Sequence, residues 1–169
     1  MKKGIFLTGV PLSLGILLGG GIVHKALRIK CQKDIEMQKE YTEKHLDMFL
    51  FMSKWLEINQ KGFSIKKYFT DNGYKAVAIY GMSDIGKRIC DELSGTDIKV
   101  MYAIDKKQDI QYKGIHIYSL EDKLPEVDAI VVAAYWYFDE IAEKLYKKVD
   151  CPVLNINDII YEFEYMYSI

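Results

Sequence analysis

The stretch that decides the fold is KAVAIY (75–80), GMSDIG (81–86) and KRICDELSGTDIKVMYAID (87–105). Val77 to Tyr80 form a near-continuous apolar run, as in a strand covered on both faces. Gly81 ends the run where a side chain would obstruct a tight strand-to-helix turn. Ile85, Ile89 and Leu93 recur every fourth residue, which predicts a helix with one apolar stripe. Gly86 falls in its first turn, where a missing Cβ lets helix and strand approach closely. Ile98, Val100, Tyr102 and Ile104 alternate as a second strand that ends on Asp105. Strand, glycine turn, helix, strand and terminal acid are the outline of the first β-α-β unit of a nucleotide-binding fold.

The glycine pattern departs from G-x-G-x-x-G, because Ser83 stands in the place of the middle glycine. Asp84 then opens the helix, where it suits the helix dipole but repels a phosphate. Lys87 and Arg88 follow one turn on. The expected ligand-binding residues are Gly81, Met82, Ser83, Asp84, Ile85 and Gly86 on the phosphate side, with Asp105 on a ribose hydroxyl.

Downstream, strands and helices continue to alternate, which predicts a parallel sheet. Gly114–Tyr118 reads as a short strand, and Ser119 as the cap of one helical turn over 120–123. Ala129–Ala134 reads as a buried strand, and Phe138, Ile141, Ala142 and Leu145 as an amphipathic helix. Cys151–Ile156 is the last strand, before a terminal helix and an aromatic tail. The expectation is an α/β, Rossmann-like parallel sheet of five strands ordered 3-2-1-4-5. In such a sheet ligands sit beyond the strand C-termini, where the strand order reverses. Tyr135, Trp136 and Tyr137 fall there, either to stack on a base or sugar or to cover the sheet end.

Upstream, residues 4–23 carry no charge and lie between Lys2-Lys3 and the basic group His24, Lys25, Arg28 and Lys30. That run is long enough to cross a membrane once. A cleaved signal is the competing reading, but no A-x-A site follows. Gly15 and Gly19 make a G-x-x-x-G pair of the kind that joins two spans, a spacing common by chance in glycine-rich runs. The basic flank places the remaining chain on the cytoplasmic side of a cell membrane. Residues 31–60 contain no Gly or Pro and read as one long helix, polar at first and strongly apolar from Leu46 to Ile58. Ser64 begins a second short helix, which Gly73 stops. The expected partition is a membrane anchor with basic flanks over 1–30, a helical stalk or docking region over 31–73, and the nucleotide-binding domain over 74–169.

Charge and chemistry narrow the function. Residues 1–33 carry six Lys or Arg and no acid, whereas residues 34–169 carry 17 Lys or Arg against 24 Asp or Glu. The acidic body argues against nucleic-acid binding. Cys31, Cys90 and Cys151 are odd in number and far apart, so they read as reduced thiols rather than as a disulfide or metal set. The three histidines fall in separate elements, and no P-loop, G-x-S-x-G elbow or metal motif occurs. Tyr102 and Lys106 have a Y-x-x-x-K spacing but run along a strand into a loop, where they share no face. Autonomous catalysis, including a small oxidoreductase, is therefore disfavoured.

The runs IYGMSDIGKRICDEL, YAID and GIHIYSLEDKLPEVDAIVVAA give the region Lys75 to Glu162 a family likeness. It resembles the N-terminal Rossmann-like domain of bacterial surface-polysaccharide enzymes, namely membrane-bound nucleotide-sugar epimerase/dehydratases and sugar O-acyltransferases. In those domains the glycine turn often carries an acid at the position of Asp84, and a membrane segment precedes the domain. The resemblance implies NAD(P) or a nucleotide sugar as ligand, and a polysaccharide-synthesis enzyme or a second copy of the chain as partner. The sequence stops before any counterpart of those enzymes' catalytic domain. The expectation is thus a nucleotide-binding or regulatory module of polysaccharide assembly. The alternative is a ligand-free scaffold that docks a membrane enzyme such as a glycosyltransferase through the Phe49–Leu56 helix and the aromatic tail.

Overall fold

A computed structural model describes residues 12–167. Helix α1 runs over Leu12–Gln60, α2 over Ile65–Asp71, α3 over Asp84–Leu93, α4 over Phe138–Leu145 and α5 over Ile156–Tyr167. The strands are β1 Ala76–Tyr80, β2 Lys99–Ile104, β3 Ile117–Tyr118, β4 Ala129–Val132 and β5 Val153–Asn155. All neighbours pair in parallel, and the order is β3-β2-β1-β4-β5, as expected from the alternation of apolar runs. The chain divides into two compact units, Met1–Leu50 and Phe51–Ile169, and the division falls within α1. Phe51 to Gln60 therefore fall in the same unit as the sheet.

Alternation along each strand sends side chains to two faces. On one face Ala78, Tyr102, Ile104, Ile130 and Val132 pack under Ile141, Ala142 and Leu145 of α4. On the other, Ile79 lies under the first turn of α3. β1 and β4 are buried through their centres, which explains why their sequences are apolar without alternating.

Three helical segments close the α3 side, and one carboxylate joins them. Glu92 Oε2 accepts the Trp55 indole N–H at 2.7 Å, and Glu92 Oε1 accepts the Ile65 backbone N–H at 2.7 Å. Asn59 adds a longer contact at 3.4 Å. Ser64 does occupy the N-cap position of α2, but its side chain makes no capping bond. Glu92 does that work from α3, supplying an acceptor to an otherwise orphaned N–H of the first turn. Around the clamp, Phe51, Trp55, Ile58, Ile65 and Phe69 are all buried.

Several element boundaries differ from the expectation. β3 keeps only Ile117 and Tyr118 of the predicted 114–118, because Gly114 adopts a positive φ of 71° that ends extended pairing. The helical turn expected at 120–123 is a hydrogen-bonded turn in which Ser119 Oγ accepts Glu121 N–H and Asp122 Oδ2 accepts Ser119 N–H. β5 stops at Asn155, whose Oδ1 accepts Asn157 N–H at 3.0 Å, so Ile156 already starts α5. Tyr135–Tyr137 form a 3₁₀ turn. Among the described residues no helix is long and apolar enough to cross a membrane, and residues 4–11 of the predicted span lie outside the described residues.

Glu92→Ala removes the acceptor of both Trp55 and Ile65. It is expected to cost roughly 1–3 kcal/mol of stability, the penalty for leaving buried donors unpaired. Urea unfolding followed by tryptophan fluorescence measures this, and Glu92→Gln, which keeps one oxygen, should lose less. An unchanged midpoint in Glu92→Ala would mean that Glu92 does not hold these helices together.

Candidate functional site

The C-terminal edge of the sheet is built around the exit of β1. Gly81 takes a φ of 93°, a left-handed conformation that a side chain would strain. A Cβ built on Gly86 would stand 2.0 Å from the carbonyl oxygen of Gly81 and 3.5 Å from Ile79 Cγ2. No side chain fits there, so glycine at 86 is what allows α3 to start directly beneath the turn.

Both neighbouring strands then hold the turn. Gly81 N–H donates to Ile104 O at 2.8 Å, and Ala133 N–H donates to Tyr80 O at 2.9 Å. Asp105, at the end of β2, accepts Met82 N–H on Oδ2 at 2.7 Å and Lys107 N–H on Oδ1 at 2.9 Å. The acid expected on a ribose is thus already bonded to the glycine turn. Each of its oxygens keeps a further lone pair, so it can still accept from a hydroxyl. Met82 N–H, by contrast, is used, and Met82 itself is buried.

Ser83 and Asp84 are exposed at the start of α3. Ser83 makes no side-chain capping bond. Lys87 N–H, the first to close onto the helix, bonds Ser83 O at 3.0 Å. The N–H groups of the preceding turn are the ones a helix leaves for an outside acceptor. Ile85 and Gly86, grouped with them in the sequence, are buried beneath the turn and shape it from within.

Beside the acid, a cleft of about 260 Å³ is lined by Tyr80, Ile104, Asp105, Lys106, Ser119 and Lys144, among others. Glu140 holds Lys144 at 2.6 Å and raises its pKa. Burial pushes the Tyr80 hydroxyl up as well, with Lys144 pulling the other way. Lys144 was not singled out from sequence, and Lys106 and Ser119 were read there only as part of a Y-x-x-x-K spacing and as a helix cap. They meet only because β1, β2 and β3 end side by side under α4. A larger cleft of about 680 Å³, between 121–127 and 148–151, lies towards the N-terminal ends of β4 and β5, away from the glycine turn.

Tyr135 and Trp136 do reach the β4 side of the edge. Their rings stack at 4.1 Å, and Tyr135 also packs at 4.8 Å on Phe51. Both are half-buried, and Tyr137 is exposed. The pair thus covers the sheet end together with Phe51. The Trp136 Nε1–H is buried and has no hydrogen-bond partner among the described residues. A second polar centre lies on the outer side of α3. Asp91 accepts Tyr112 O–H at 2.5 Å and pairs with Lys113 at 2.6 Å, and these contacts hold its carboxyl below the usual range. Cys90 beside it is buried, and burial pushes its thiol up to about 11. Among the described residues no group of three His, Cys, Asp or Glu is placed to hold a metal ion.

Residues 73–156, from just before β1 to the end of β5, match the family described as C2185-like, N-terminal. No curated protein and no solved structure matches this chain.

Gly86→Ala forces the Gly81 carbonyl to move and is expected to destabilise the fold by roughly 1–3 kcal/mol, the range for overpacking a filled site. Chemical denaturation against Gly95→Ala, where no atom lies within 4 Å of the added methyl, separates crowding at 86 from the backbone strain at 95. An unchanged midpoint in Gly86→Ala would contradict the close approach.

Proposed function

We propose that this chain is a nucleotide- or nucleotide-sugar-binding accessory module of bacterial surface-polysaccharide assembly, without a reaction of its own. In this reading residues 4–23 anchor it in the cell membrane, with the sheet on the cytoplasmic side. The observation that carries the reading is the turn between β1 and α3. Gly86 has no room for a Cβ beneath Gly81, and the N–H groups that open α3 have no side-chain cap, at the end of the sheet where the strand order reverses.

The donor set fits a phosphorylated ligand with one cost. The α3 N-terminus supplies N–H donors, while the exposed Asp84 carboxylate disfavours a dianion beside them. A diphosphate diester, with one charge per phosphorus, suits such a turn better than a terminal phosphate. Asp105 offers its remaining lone pairs to hydroxyls, and the Lys106–Lys144 cleft beside it gives a base or sugar a place to lie. NAD(P) and nucleotide sugars both have this chemistry.

The second reading, a ligand-free scaffold for a membrane enzyme such as a glycosyltransferase, is favoured by one specific observation. Asp105 is already bonded at both oxygens, to Met82 N–H of the turn and to Lys107 N–H of its own loop, and Tyr135 lies on Phe51, so the edge is largely self-contained.

A thermal-shift panel on the full chain separates the two. It contains NAD, NADP, UDP-sugars, nucleoside triphosphates and coenzyme A. At about a hundred times its dissociation constant, a ligand specific to the folded state adds about 2.7 kcal/mol, or a rise of about 5 °C or more for a chain of this size. The expected result is such a shift for a diphosphate diester, lost in Asp105→Ala. No shift from any compound at millimolar concentration would favour the scaffold.

A further inference from the structure

From Leu27 to Leu50 helix α1 is almost entirely solvent-facing. From Cys31 to Phe49 no side chain is buried, and only Lys44 and Met48 are half-buried. Yet Ile35 is 62% exposed, Tyr41 59%, Leu46 56% and Phe49 65%. A water-facing helix of this length needs an apolar stripe only if something covers it.

The side chains along this segment are sorted with a period of seven. Cys31, Ile35, Gln38, Thr42, His45 and Phe49 are spaced four, three, four, three and four residues apart, the spacing of a coiled-coil seam. None of the six is acidic or carries Lys or Arg. On the opposite face Lys33, Glu40 and Asp47, also seven apart, are all charged, and Glu36, Glu43 and Lys44 lie beside them. Glu40 pairs with Lys44 at 2.7 Å, and Lys39 with Glu43 at a looser 3.8 Å, so this side is a solvated face.

Two of the polar seam residues already turn a polar atom inward. Thr42 Oγ1 donates to Gln38 O at 2.8 Å, and His45 Nδ1 lies 2.7 Å from Tyr41 O. Covering these side chains therefore strands fewer donors than their type suggests. Gln38, the third, can bond its own counterpart across a two-fold axis, the role that a single polar core residue plays in fixing register.

We propose that this face, from Cys31 to Phe49, is an interface with a second copy of the same chain, as a parallel, in-register two-stranded coiled coil. The flanking positions select that partner and that orientation. In a parallel pair each flanking residue faces the one five positions on in the other helix. Asp34 then meets Lys39 of the other copy, an attractive pair made twice by symmetry. Tyr41 meets Leu46, extending the apolar seam at the end where Phe49 closes it. Like residues oppose one another along the seam itself, and Cys31 lies against Cys31. A d-position pair of this kind lies within the Cα separation a disulfide spans.

Cysteine scanning on the full chain tests this. Mild oxidation of the unaltered protein should give a disulfide-linked dimer, and Cys31→Ser should give none, because Cys90 is buried and Cys151 half-buried. In the Cys31→Ser background, Gln38→Cys and Phe49→Cys should crosslink about tenfold more than the outward-facing Lys33→Cys and Glu40→Cys. Ile35→Glu with Phe49→Glu should abolish the Cys31 crosslink, while urea unfolding of the Phe51–Ile169 unit, followed by the fluorescence of Trp55 and Trp136, keeps its midpoint, since neither position belongs to that unit's core. Equal crosslinking at seam and outer positions overturns the proposal. So does crosslinking at none of them, the result if lipid or a different protein covers this face. Crosslinking at Gln38→Cys and Phe49→Cys without any at Cys31 would refute the in-register parallel pairing.

Discussion

The architecture rests on one absent atom, the Cβ of residue 86. Because nothing projects there, the first turn of α3 fits beneath the carbonyl of Gly81, which a methyl group would approach to 2.0 Å. That contact fixes where α3 begins and brings the turn against its two neighbouring strands. Gly81 N–H then reaches Ile104 O, and Met82 N–H reaches the carboxylate of Asp105. The positive φ of Gly81 is the local cost of turning so sharply, and only glycine accepts it without strain.

Two carboxylates extend this arrangement in opposite directions. Asp105 ties the turn to the end of β2, so the candidate ligand edge is held in shape before any ligand arrives. Such preorganisation lowers the ordering cost of binding. Glu92 ties α3 to the end of α1 and the start of α2 through Trp55 and Ile65. α3 therefore links the candidate site to the helical segments that the sequence set apart as a docking region. The same economy has a consequence for function. An acid that satisfies backbone donors is partly a structural group, and its value to a ligand lies in the lone pairs left over.

The sheet was legible because its signals are local. The apolar runs of β1 and β4, the spacing of Ile85, Ile89 and Leu93, and the paired glycines are each contained in a few residues, and together they give order 3-2-1-4-5. What was not legible depends on contacts far apart in the chain. Glu92 looks like one more surface acid on an amphipathic helix, and nothing near it in sequence announces Trp55 or Ile65. Tyr135 and Trp136 read equally well as a ligand platform or as cover. Only the position of Phe51, 84 residues earlier than Tyr135, places a ring against them. The short β3 escaped because Ile115 and Ile117 alternate as a strand should, while Gly114 turns the chain just before them. The cleft formed by Tyr80, Asp105, Ser119 and Lys144 had no sequence signature, since its walls come from four separate segments.

The function proposed for the edge formed by Gly81–Gly86 and Asp105 is to receive a nucleotide. Its most direct measurement is backbone amide NMR on the isotopically labelled full chain, titrated with NAD, NADP and a UDP-sugar. Binding at this edge should give saturable shifts concentrated at Gly81 to Gly86 and Asp105 to Lys107, with the Met82 amide among the most affected because its acceptor is the ligand's neighbour. Shifts confined to the cleft between 121–127 and 148–151, or none at saturating ligand, would contradict it.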